Sequence, residues 1–190
     1  STYGGRFHEA PSRDDETFCR AIKEALELGG RVYIPAFAVE RTQQLLYLLN
    51  RAYHEGSLPL LPVYVDSPMA VGATEIFRIH PECFNKEVYD FMFREKDPFC
   101  FEQLRLIRSV GESQALNKMN GQAIIISASG MCEAGRILHH LANNIGDPKN
   151  TVLFVGYCEE HTLGRMIMDG CKQVPILGKL YSVLSRLREM

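Results

Sequence analysis

Gly30-Arg31-Val32-Tyr33-Ile34-Pro35-Ala36-Phe37-Ala38 runs from glycine through a short series of β-forming residues to a proline. Residues 31–34 are too few for a helix and rich in β-formers, which predicts a buried strand ended by Pro35. Beyond it a helix is predicted from about Val39. Leu45, Leu46, Leu48, Leu49, Ala52 and Tyr53 make a stripe wide enough to cover a sheet face, and Gly56 stops it. Before it, a loop over residues 1–11 feeds a helix capped by Ser12. Phe18, Ala21, Ile22, Ala25 and Leu26 recur there at helical spacing, and Gly29 and Gly30 supply the terminating positive-φ positions.

The same rhythm continues outward. Residues 62–65 read as a strand, and Pro68 can open the next helix at its first turn, where a missing N–H costs nothing. Residues 79–120 show no clean period, because Phe84, Phe91, Phe93, Phe99 and Phe101 are scattered among charges. After them come a strand at 123–127, a helix at 132–144, a strand at 151–155, a short helix at 162–168 and a last strand at 173–177. Alternating strands and helices imply parallel pairing through crossovers. The expected architecture is a three-layer, Rossmann-like α/β sandwich with a mostly parallel sheet, one domain over residues 1–190 without repeat or linker.

Composition narrows the function. Twenty-one basic and 23 acidic residues leave a net charge of −2, which excludes a strongly basic nucleic-acid clamp. With 46 % hydrophobic residues the chain can bury a large core, and disorder is not expected. No apolar window is long enough for a membrane span and no secretory leader opens the sequence. Cys19, Cys83, Cys100, Cys132, Cys158 and Cys171 stand far apart without a Cys-x-x-Cys pair, which predicts reduced thiols of a cytosolic protein and no structural metal.

In parallel sheets ligands gather beyond the carboxyl ends of the strands, so the strand-to-helix loops carry the candidate chemistry. Ser127-Ala128-Ser129-Gly130-Met131 is the most suggestive. Small residues permit close backbone approach, hydroxyls donate to oxyanions, a following helix start would aim free N–H groups at the same spot, and Arg136 could add a forked donor. The alternative is ordinary capping with a solvated or carboxylate-paired arginine. Asp66 ends a strand where a catalytic or orienting carboxylate could sit, although Asp66-Ser67-Pro68 is equally a routine helix start. His8, His54, His80, His139, His140 and His161 fall into no metal-binding spacing, and each is expected to be a surface or partly packed imidazole. No dinucleotide or Walker glycine loop, serine elbow or activated cysteine is present, so no catalytic set is complete.

Several phrases together resemble the β-CASP family of metallo-β-lactamase-fold nucleases. They are Ser1-Thr2-Tyr3-Gly4, residues 30–38, Val63-Tyr64-Val65-Asp66-Ser67-Pro68-Met69-Ala70, residues 127–131 with Gly135-Arg136, and Val155-Gly156-Tyr157 with Thr162-Leu163-Gly164-Arg165. The resemblance implies a cap domain that walls one side of a cleft and contacts the backbone of single-stranded RNA. The wall would be formed by Ser127, Ser129, Gly130 and Met131, with Arg136 and Arg165 nearby, Asp66 and Ser67 from the neighbouring strand end, and Tyr3 stacking a base or packing. It also implies a flanking metallo-β-lactamase domain with two zinc ions. This chain lacks that domain's ligands, so the fragment holds no cofactor, has no catalytic residue and is inactive alone, in the cytoplasm or, in a eukaryote, the nucleus. Relatives commonly carry glycine where this chain has His161. Two other functions stay open: a scaffold module from an inactive family member, and an independent nucleotide- or phosphate-binding domain.

Overall fold

The computed structural model describes residues 11–95 and 97–190. Helix α1 (Pro11–Leu26) leads through Gly29 (φ 77°) into β1 (Val32–Pro35), all four residues of which are buried. Then follow α2 (Arg41–His54), β2 (Val63–Asp66) and α3 (Pro68–Ile79). A 3-10 turn (Pro81–Cys83), α4 (Lys86–Glu95), β3 (Leu104–Ile107) and α5 (Val110–Lys118) fill the stretch that showed no period. The chain continues with β4 (Ile124–Ser127), α6 (Ile137–Asn144), β5 (Thr151–Phe154), α7 (Leu163–Met168), β6 (Gln173–Ile176), β7 (Lys179–Ser182) and β8 (Arg186–Glu189).

Six strands form one wholly parallel sheet in the order β3-β2-β4-β1-β5-β8, flanked by helices, as the alternation of elements predicts. Its central strands have no solvent face, which is why they read as unbroken apolar runs. Val32, Ile34, Val63, Val65, Ile124 and Ile126 pack toward α1 through α4 in one core. Val152 and Phe154 point the other way and meet α6 and α7 in a second core.

Two boundaries and one strand pairing differ from expectation. Helix α1 is described from Pro11 onward, so Ser12 lies within the helix and not ahead of it. Helix α6 begins at Ile137, five residues later than the periodicity suggests, because Cys132 (φ 59°) and Gly135 (φ 83°) both leave the helical region. Residues 173–177 do contain a strand, yet β6 pairs antiparallel with β7 in a separate hairpin. The outer place in the sheet goes to β8, parallel to β5. The pattern of a strand reports which faces are covered, not which strand lies beside it.

The departure at His161 acquires a physical reading. Its φ is 69°, the left-handed region that a Cβ disfavours by about 1–2 kcal/mol and that glycine enters freely. His161→Gly is therefore expected to stabilise the fold by roughly 0.5–1 kcal/mol, after glycine's extra entropy in the unfolded chain is subtracted. A higher urea midpoint would show it, and an unchanged or lower one would mean that the imidazole makes compensating contacts.

Candidate nucleic-acid interface

β2, β4 and β1 are neighbours in the sheet. Helices after β1 and β2 cover one face, whereas the helix after β4 covers the other. Loops leaving adjacent strands therefore part at the end of β4, the place where open parallel sheets usually bind ligands. Residues 35–41, 66–69 and 127–136 leave their strands at this edge.

Asp66 forms the floor behind this edge. Its side chain is fully buried. Oδ1 accepts from Arg136 Nη1 at 2.6 Å, and Oδ2 accepts from Ser113 Oγ at 2.5 Å and His140 Nε2 at 2.6 Å. Burial pushes the Asp66 carboxyl up, but the hydrogen bonds from His140, Ser113 and Arg136 outweigh it and hold the group below its usual value. On the far side of the ring, His140 Nδ1 lies 3.0 Å from Asn117 Oδ1, which also accepts from Asn144 Nδ2 at 3.0 Å. Asn144 Nδ2 donates to the His140 carbonyl at 2.9 Å, which fixes the sense of the chain. His140 thus bridges the Asp66 carboxylate on one side of its ring and the Asn117 side chain on the other. His140 is not the partly packed imidazole expected from sequence. It is fully buried and works inside this network.

The expected arginines are also committed to the fold. Arg136 reaches inward to Asp66 and donates from Nη2 to the Arg108 carbonyl at 2.8 Å. Arg165 pairs with Asp169 one turn on, at 2.8 Å. Ser127 is buried and donates to the Asp66 carbonyl, while Ser67 caps α3 by accepting from Ala70 N. Tyr3 lies outside the described residues.

The 128–136 loop is a knot tied by Ser129. Its Oγ accepts from the amides of Glu133 and Ala134, and its own N–H donates to the Ala134 carbonyl. The amides of Cys132 and Ile137 are taken by the carbonyls of Ser129 and Ala128. The expected fan of free N–H groups from a helix starting at Cys132 is consequently absent, because the loop satisfies those donors itself. Donors remain in this loop among the described residues: the amides of Gly130 and Met131 at its tip and of Gly135 and Arg136 at its end, which have no partner, and the Ser129 hydroxyl proton, since that oxygen is recorded only as an acceptor. Glu133 Oε1 accepts from Leu163 N at 2.5 Å, so the start of α7 is closed by a carboxylate of the same loop.

Two residues that the motif reading passed over share this rim. Phe37 is 47 % exposed although it directly follows a buried strand and Ala36. With Pro35, Arg41, Gly130, Gly156 and Tyr157 it lines a shallow depression. Gly130 leaves room for the ring: a Cβ there would stand 3.1 and 3.2 Å from ring carbons Cδ2 and Cε2 of Phe37, so the ring would have to give by a few tenths of an ångström. Arg41 donates to Gln44 Oε1 at 2.8 Å and has no ion pair among the described residues. It is aimed by a γ-turn centred on Glu40 (φ 72°, ψ −64°), closed by Arg41 N to the Val39 carbonyl at 3.0 Å. The signal in the sequence was a large aromatic exposed just past a strand-ending proline, followed by a helix whose first residue is a cation.

No group of three or more histidine, cysteine, aspartate or glutamate side chains is placed to hold a metal ion among the described residues, so the donor set of this edge does not fit a zinc centre. No disulfide joins the cysteines among the described residues, and burial raises Cys132 and Cys158, the latter to about 11, which leaves these two as unreactive thiols.

A parallel α/β layer with its loops knotted around a buried carboxylate at one edge defines the class of domain. The Beta-Casp domain family matches residues 42–167, and the chain belongs to that family. Among curated proteins it is 38 % identical over 178 residues to "Ribonuclease TTHA0252" of Thermus thermophilus, covering 94 % of this chain and 41 % of that protein. It is 35 % identical over 182 residues to "Transcription termination factor FttA" of Methanococcus maripaludis, covering 94 % and 28 %. A protein of the same name from Methanocaldococcus jannaschii is 35 % identical over 189 residues, covering 96 % and 30 %. The chain thus spans less than half the length of these relatives.

Proposed function

We propose that this chain is the cap of an RNA-processing nuclease: it forms one wall of a cleft that holds single-stranded RNA, and residues outside the chain supply the two zinc ions and the hydrolytic step. The free donors at Ser129, Gly130 and Met131, on a loop braced from behind by the Asp66–Arg136 pair, are the observation that carries the reading. Neutral donors on a rigid loop favour phosphate oxygens without a strongly basic surface. In this reading Asp66 and Arg136 position the wall, and the RNA touches the loop tip.

The names of the relatives, a ribonuclease and transcription termination factors, support RNA as the polymer. No helix among the described residues is long and apolar enough to cross a membrane. With a net charge of −2 the affinity of the chain for RNA is weak and falls with added salt.

The test is to offer the full-length protein single-stranded RNA, duplex RNA and mononucleotides. Binding and cleavage of the single strand, with mononucleotides competing poorly, is the expected result. Tight binding of a free mononucleotide with no preference for polymer would replace the cap by an independent nucleotide-binding domain.

A further inference from the structure

We infer that Phe37 and Arg41 form a single-nucleotide subsite, in which the Phe37 ring stacks a nucleobase and the Arg41 guanidinium meets an adjacent phosphate; the inference rests on the RNA-cleft reading above. Phe37 has the properties of a stacking platform. One side of its ring lies against Gly130, whose missing Cβ lets the two approach without displacement, and about half of the residue faces solvent. Its backbone is pinned, because both the amide and the hydroxyl of Thr42 donate to the Phe37 carbonyl, at 3.2 and 2.8 Å. A ring held in place loses little freedom on binding.

Arg41 adds charge of the right sign. As the first residue of α2 it puts a cation where the helix dipole favours an anion, and the first turn of that helix carries no acid. The depression between Phe37, Arg41 and Gly130 is too shallow to swallow a base, so the base lies on the ring and is read by its face. Stacking on a face is tolerant of sequence. The subsite therefore grips any nucleotide, adjoining the donors of Gly130 and Met131 that take the backbone.

The experiment compares a single-stranded RNA with an abasic ribose-phosphate strand of equal length, binding each to the full-length protein. Wild type is expected to prefer the intact strand by roughly 5- to 100-fold. Phe37→Leu should erase most of that preference and leave the abasic affinity as it was, whereas Phe37→Tyr should retain it. Arg41→Gln should weaken both strands alike and flatten the salt dependence. Photocrosslinking of 5-iodouridine RNA to wild type should mark Phe37, a readout that does not depend on a variant folding. If wild type binds RNA while Phe37→Leu keeps the preference and no crosslink maps to Phe37, the subsite is wrong and the cap reading stands. If wild type binds no single-stranded RNA, both fall together.

Discussion

Replacing Asp66 with asparagine is expected to lower the unfolding free energy by about 3–5 kcal/mol, the usual cost of removing one partner from a buried ion pair. Asp66 and His140 are fully buried, and the Arg136 side chain is largely covered. Asparagine would present an amide hydrogen to donors that now meet carboxylate oxygens at 2.5 to 2.6 Å. Chemical denaturation compares the midpoints, and a loss under about 1 kcal/mol would show that these groups rearrange or reach water. The same carboxylate sets a pH dependence. Its value lies lower in the folded than in the unfolded protein, so the stability it contributes is fully present above the ordinary carboxylate range. That contribution drains as pH falls through the folded value. Wild type should therefore lose stability on acidification below about pH 4 more steeply than Asp66→Asn.

Gly135→Ala is expected to cost roughly 2–5 kcal/mol, about 1–2 from the left-handed backbone and about 1–3 from overpacking. Its φ is 83°, and a Cβ there would stand 2.3 Å from the Ala128 carbonyl oxygen and 2.9 Å from its carbon. Backbone cannot swing aside as a side chain can, so the knot around Ser129 has to open. For a chain of this length the melting temperature should fall by roughly 5–15 °C. RNA affinity should fall with it, because the Gly130 and Met131 amides would lose their placement. A variant with wild-type melting and wild-type RNA binding would show that the loop has room its contacts deny.

Much of this architecture is legible in the sequence where burial is two-sided. β1, β2, β4 and β5 announce themselves as short apolar runs because helices cover both of their faces. β3 is an edge strand with Arg105 exposed, so its four residues carry too little pattern to stand out among the phenylalanines around them. The partner of β6 and the late start of α6 were hidden for different reasons: pairing is a tertiary choice, and Gly135 breaks the helix inside an otherwise helical spacing.

For the candidate site, the sequence points to the correct loops and not to the directions of their side chains. Arg136, Ser113 and His140 turn toward Asp66 because a buried carboxylate demands partners, and Ser127 is taken by the Asp66 backbone carbonyl. That demand leaves the rim to Ser129, Gly130, Phe37 and Arg41. His140 was invisible as a network member because its partners Asn117 and Asp66 lie 23 and 74 residues away along the chain. Only the crossover topology brings them together.

The central place of β1 has a consequence during biosynthesis. Its neighbours on either side, β4 and β5, are translated about 90 and 120 residues after it. At roughly 5–20 residues per second, the apolar tetrad Val32-Tyr33-Ile34-Pro35 leaves the ribosome many seconds before anything can pair with it. The nascent polypeptide must shelter that segment through α1 and α2 or hand it to a chaperone, and expression yield should respond to the speed of translation over residues 36–150.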